Sequence, residues 1–170
     1  MAEAARPRHE VSVRVEAPFR GRLDRAALRR LAVRVLRAEG VLPPTEVGLV
    51  VTDDETLRDL NRRYLGLDEP TDVLSFGHEP FVRLRTQPAG RLRAQRFVTP
   101  PDGIRHLGEV ILSCPMAERQ AQEAGHSVQD EAAHLVAHGL LHLLGYDHED
   151  PEDESRMRAR EEELLGQRAH

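Results

Sequence analysis

The stretch from Ser127 to Leu144 constrains this chain more than any other. Its apolar residues Ala133, Leu135, Val136, Ala137, Leu140, Leu141, Leu143 and Leu144 cover nearly every side of one helix. A helix that is apolar all round is buried at the centre of a domain, so the remaining elements must wrap it and its histidines must face an internal cleft. Ser127 is placed to cap its first turn, and Gly145 stands where it must stop.

The elements available to wrap it follow from periodicity. Val11 to Val15 alternates apolar and polar residues as a half-buried strand does. Asp24 caps a helix with Leu28, Leu31, Ala32, Val35 and Leu36 on one face, ended by Gly40. Val47 to Val51 reads as a buried strand, and Thr52-Asp-Asp-Glu55 resembles a capping box opening a helix with Leu57, Leu60, Asn61 and Tyr64 on one stripe. Asp72 to Phe76 and Leu107 to Leu112 are further strands, and Ser113 and Pro115 start a helix that Gly125 ends. Asp150-Pro151 opens a last amphipathic helix whose acidic first turn suits the helix dipole, and whose acidic face is read as solvated.

That makes about four strands and five helices in 170 residues, the size of one domain. The single domain, 1–170, carries one odd segment at about 77–106, either a two-stranded flap around Pro88-Ala89-Gly90 or a mobile solvated insertion. No apolar run reaches the 18 or so residues of a membrane span, and the N-terminal residues lack the apolar stretch of a signal peptide. The single cysteine, Cys114, suits a reducing compartment and is read as a small buried side chain, so the expected location is the cytoplasm.

His138 and His142 lie four residues apart, so both imidazoles leave the same face of the buried helix one turn apart and can meet one ion. Beyond the Gly145 turn, His148 can return as a third ligand. Three nitrogen ligands leave a position open on a tetrahedral zinc, the arrangement of catalytic sites, and one Zn2+ per chain is expected. The spacing His-x3-His-x2-Gly-x2-His is also that of metzincin peptidases, which need a glutamate directly after the first histidine; here that position is Gly139.

The run His138-Gly-Leu-Leu-His142-Leu-Leu-Gly-Tyr-Asp-His148 resembles the signature of the YbeY family of bacterial endoribonucleases. Asn61 and Tyr64, Pro70-Thr-Asp-Val-Leu-Ser-Phe76, Leu107-Gly-Glu-Val-Ile-Leu-Ser113 and Gly125-His-Ser127 follow that family's order over roughly residues 45 to 165. The resemblance implies an α+β domain, with a small mixed sheet flanked by helices and a zincin-like metal cleft. It implies a metal-dependent, single-strand-preferring endoribonuclease that acts on rRNA precursors, including the 16S rRNA 3′ end, and in ribosome quality control. Its partners would then be single-stranded rRNA, the small ribosomal subunit and assembly factors, with no membrane. The chain departs from the family at Leu65, where an arginine is usual, and at Glu109, where the usual residue is aspartate. The second change keeps the carboxylate; the first removes a guanidinium able to clamp a phosphate. A non-catalytic, zinc-containing assembly factor is therefore the rival reading.

Candidate helpers follow. Asp147 is a candidate to orient a ligand or relay a proton, Ser75 and Glu109 to line the cleft, and His134 either to support a ligand or to sit in the core. Hydrolysis by an activated water and transesterification through the RNA 2′-hydroxyl are both open. The net charge of −5 argues against indiscriminate nucleic-acid coating, but charge is uneven. Arg91, Arg93 and Arg96 lie in an arginine-rich, acid-free segment at 83–96, and with Arg62 and Arg63 they are the candidate phosphate contacts. Aromatic residues are few, so stacking platforms are expected at Phe81, Phe97 or Tyr146.

Overall fold

A computed structural model describes residues 7–78, 103–146 and 150–166. Four strands form one sheet: β1 (Glu10–Val15), β2 (Thr45–Thr52), β3 (Val73–Gly77) and β4 (Arg105–Ser113). Five helices accompany it: α1 (Arg25–Ala38), α2 (Asp54–Leu65), α3 (Cys114–Ala124), α4 (Val128–Leu143) and α5 (Pro151–Leu164). The strand order is β1-β2-β4-β3, with β3 alone antiparallel to its neighbour, so the expected mixed α+β sheet is present.

Local chemistry sets the helix starts. Asp24, Ser113, Ser127 and Asp150 each accept a hydrogen bond from a backbone N–H of the first turn, as the sequence predicts. At α2 the cap is Asp53 rather than Thr52. Its carboxylate accepts from the Thr56 N–H and hydroxyl, which hold it below the usual aspartate range. A carboxylate stabilises a helix N-terminus more than a hydroxyl does, because it also meets the positive end of the dipole.

The register places Val13, Leu49, Val110 and Ser75 in one row across the sheet. The apolar members of that face, with Val15, Val47, Val51 and Leu112, pack against α1 and the buried side of α4 to form the core. Alternation sends Ser12, Gly48, Glu109 and Phe76 to the opposite face. The end of α2 lies over that second face, where the Tyr64 and Phe76 rings meet edge to face at 5.2 Å.

A register shift in β4 between its pairings with Glu46 and Val47 leaves Leu107 as an extra residue, fully buried, beside Gly108. Gly108 has φ of +138°, and a Cβ there would lie 2.1 Å from the Phe76 carbonyl oxygen. Only glycine lets β3 approach β4 this closely.

Candidate metal centre

Helix α4 delivers the two described imidazoles. The rings of His138 and His142 meet at 78° with centroids 4.6 Å apart, and their Nε2 atoms are 3.1 Å from each other. Each Nδ1 is held from behind. His142 Nδ1 donates to the Tyr146 carbonyl at 3.0 Å, and because a carbonyl only accepts, this fixes the proton on Nδ1. His138 Nδ1 donates to the Glu161 carboxylate at 2.5 Å. Both neutral rings therefore direct lone pairs on Nε2 toward a shared point.

The repulsion of two facing lone pairs is relieved by a proton carried on one Nε2 or by a cation held between them. Nitrogens bound at about 2.0–2.1 Å to a tetrahedral zinc are about 3.3 Å apart, close to the spacing here. The donor chemistry thus fits the ion that the sequence leads one to expect. Among the described residues no group of three metal-ligating side chains occurs. The predicted third ligand, His148, lies outside the described residues, as do Asp147, Arg91, Arg93 and Arg96.

The turn that would bring His148 back is built from the helix end. Gly145 takes φ of +92°, its N–H donates to the His142 carbonyl, and the Tyr146 N–H donates to Leu141. The Tyr146 ring then enters the core, where its hydroxyl donates to both Glu39 oxygens at 3.1 and 3.2 Å. Tyr146 is 7% exposed and so is not the stacking platform its sequence position suggests.

Glu39, at the end of α1, is 0% exposed and takes a 2.5 Å ion pair from Arg160 Nε. Burial works against the Arg160 charge. Its bonds to Glu39 and Glu163 outweigh that and hold its pKa above the ordinary arginine value. Arg160 also donates to the Ala38 carbonyl. One helix, α5, thus supports both imidazoles: Glu161 directly, and Arg160 through Glu39 and Tyr146.

The other predicted residues divide between the faces. Ser75 lies on the α4 side and donates to the Gly139 carbonyl at 2.8 Å, tying β3 to the helix that carries His138 and His142. Glu109 is exposed on the opposite face of the sheet: a Cβ at Gly48 would meet its side chain, whereas one at Gly139 would meet its neighbour Val110. Arg62 and Arg63 both pair with Asp59 on the surface of α2, and Leu65, 58% exposed, sits beside Tyr64 at that helix's end. His134 Nε2 is 3.9 Å from Glu161. Cys114 is fully buried, and burial together with Glu118 pushes its thiol up to about 11, so it is no thiolate ligand at neutral pH.

A cavity of about 520 Å3 opens between α4 and α5, lined by His134, His138, Met157, Arg158, Glu161 and Leu165. Sequence reasoning missed the two α5 residues that support the site. The available signal was Glu161 itself, an acid at helical spacing between Met157 and Leu164 on the buried stripe.

Gly139 decides between hydrolase classes. A Cβ there would sit 2.5 Å from Val110 Cγ1 and 3.0 Å from Ser75 Oγ. The position faces the sheet, so a peptidase-type glutamate has no room. Gly139→Glu is expected to cost about 3 kcal/mol or more, by overpacking and by burying a charge without a partner. Thermal unfolding checks this, and an unshifted midpoint would show that the helix can move off the sheet.

The chain is similar to known proteins along most of its length. The family model described as Endoribonuclease YbeY matches residues 19–169. A protein named Endoribonuclease YbeY from Dehalococcoides mccartyi (strain ATCC BAA-2266 / KCTC 15142 / 195) is 46% identical over 153 residues, covering 90% of this chain and 86% of its own. One of the same name from Roseiflexus sp. (strain RS-1) is 44% identical over 156 residues, covering 91% and 90%. The solution structure of TM1509 from Thermotoga maritima has the same fold, with a TM-score of 0.51 at 23% identity over 92% of this chain and 89% of that one.

Proposed function

The chain belongs to the YbeY endoribonuclease family, and from that premise we propose that it is a zinc-dependent endoribonuclease cutting single-stranded RNA during rRNA maturation. One observation carries the metal part of this reading: two imidazoles on a buried helix, each held at Nδ1, with their Nε2 atoms 3.1 Å apart. His148 completes the set in this reading, supported by its place three residues beyond the Gly145 turn. A zinc ion held there supplies Lewis acidity toward a phosphodiester and a means of lowering the pKa of water.

The protein's own residues do the rest. Glu161 and the Tyr146 carbonyl orient the ligand rings, and the Glu161 carboxylate balances positive charge at the centre. Ser75 fixes the distance between α4 and the edge strand β3. Asp147, next to His148, is the proposed proton relay, with Glu109 reserved for the far face of the sheet. Arg91, Arg93 and Arg96 are the proposed phosphate contacts, aided by Arg62 and Arg63.

The substrate in this reading is single-stranded rRNA or its precursor, including the 16S rRNA 3′ end, met on the small ribosomal subunit with its assembly factors in the cytoplasm. No helix among the described residues is long and apolar enough to cross a membrane. The clash at Gly139 removes support from a peptidase reading.

The test compares a single-stranded rRNA fragment with the same sequence held in a duplex. Cleavage of the single strand that stops with a chelator and returns with zinc is the expected result. Intact RNA in the presence of zinc-loaded protein would leave the non-catalytic assembly factor as the better reading.

A further inference from the structure

We propose that Glu161 is a positioning residue for the metal: it holds His138 in the one tautomer and orientation that can bind an ion together with His142. The inference rests on the metal-centre reading above and deepens it. Glu161 is 6% exposed although it lies on the most acidic of the described helices, followed in sequence by the exposed Glu162 and Glu163. A carboxylate loses its hydration on burial and stays inside only where a partner compensates. Here that partner is His138 Nδ1 at 2.5 Å, with His134 Nε2 at 3.9 Å from the other oxygen.

The geometry selects one tautomer of the neutral ring. The carboxylate accepts from Nδ1–H, which in neutral His138 leaves the lone pair on Nε2, the atom facing His142. The Tyr146 carbonyl imposes the same tautomer on His142. Without Glu161 the acceptor that selects Nδ1–H is lost, and a proton carried on His138 Nε2 instead removes a donor from the centre. Such carboxylate support is commonly worth about 10- to 100-fold in metal affinity. Arg160, the preceding residue, secures the second ring through Glu39 and Tyr146, so docking of a single helix turn orients both ligands.

The experiment measures zinc affinity of the full chain by competition with a chromophoric chelator, for wild type, Glu161→Ala, Glu161→Gln and Glu162→Ala. In parallel, long-range proton–nitrogen NMR spectra of the metal-free proteins read the imidazole tautomers. Glu161→Ala should bind zinc about 10- to 100-fold more weakly and shift His138 away from the Nδ1-protonated form. Glu161→Gln keeps an acceptor and should recover most of both, and Glu162→Ala should match wild type. Wild-type affinity and an unchanged tautomer in both Glu161 variants would overturn the proposal while leaving the metal centre standing. A wild type that takes up no zinc would instead overturn the metal reading itself. Should Glu161→Ala fail to fold, Glu161→Met takes its place, filling the space without an accepting oxygen: a shifted tautomer signal supports the proposal, and a wild-type tautomer and zinc affinity overturn it.

Discussion

His142→Ala is expected to lose tightly held zinc and RNA cleavage together. In the proposed centre His142 is held on both sides: its Nδ1 is fixed by the Tyr146 carbonyl and its Nε2 lies 3.1 Å from that of His138. Alanine leaves the helix intact, since it is the best helix former, and the ring is only partly buried, so the fold should survive. What disappears is one of the two described donors. A bound metal contributes several kcal/mol of transition-state stabilisation, and each 1.36 kcal/mol is tenfold in rate, so cleavage should fall by about 10³-fold or more. Metal content by elemental analysis and cleavage of a single-stranded rRNA fragment check the two losses. A variant that cuts at the wild-type rate would move the chemistry away from α4 altogether.

Arg160→Ala should produce the largest loss of stability among single substitutions on α5. Glu39 is 0% exposed, and Arg160 is its cationic partner, with a 2.5 Å contact that the Tyr146 hydroxyl supplements but does not neutralise. Removing one member of a buried pair strips the other of that counter-charge, at about 3–5 kcal/mol, which for a protein of this size lowers the unfolding midpoint by on the order of 10 °C. The pair as a whole is worth far less than this, because both charges gave up their hydration to form it. The double variant Glu39→Gln/Arg160→Met should therefore regain most of the loss, since the amide still accepts from Tyr146 and the thioether fills the space. Denaturant unfolding of wild type and the two variants measures the loss and its recovery. A single variant within 1 kcal/mol of wild type, a loss no larger than an exposed pair gives, would mean that water reaches Glu39.

Most of the fold was legible in the sequence because its signals are local. Capping side chains at Asp24, Ser113, Ser127 and Asp150, terminating glycines and the apolar stripe of α1 each act within one or two turns, and all appear where the pattern places them. The i, i+4 histidines were legible for the same reason. Strand order was not read from the pattern, because β4 inserts between β2 and β3 through contacts far apart in sequence. Nor was the face assignment of Glu109, which depends on a one-residue shift in β4 pairing beside Gly108. The supporting groups were missed because their charge argued for solvent. Arg160 and Glu161 sit in a run dense with exposed acids, and only distant partners, Glu39 for Arg160 and His138 for Glu161, give them their roles.

That separation bears on when the centre can exist during synthesis. The helix carrying His138 and His142 is made before α5, and α1 with Glu39 earlier still. A nascent chain that has folded as far as Tyr146 has its imidazoles in place but neither the Glu161 carboxylate behind His138 nor the Arg160 charge that pairs with Glu39. The centre is therefore a property of the finished domain rather than of its signature motif. On the proposed reading, a copy truncated before α5 would carry every residue of that motif without the Glu161 and Arg160 that support it.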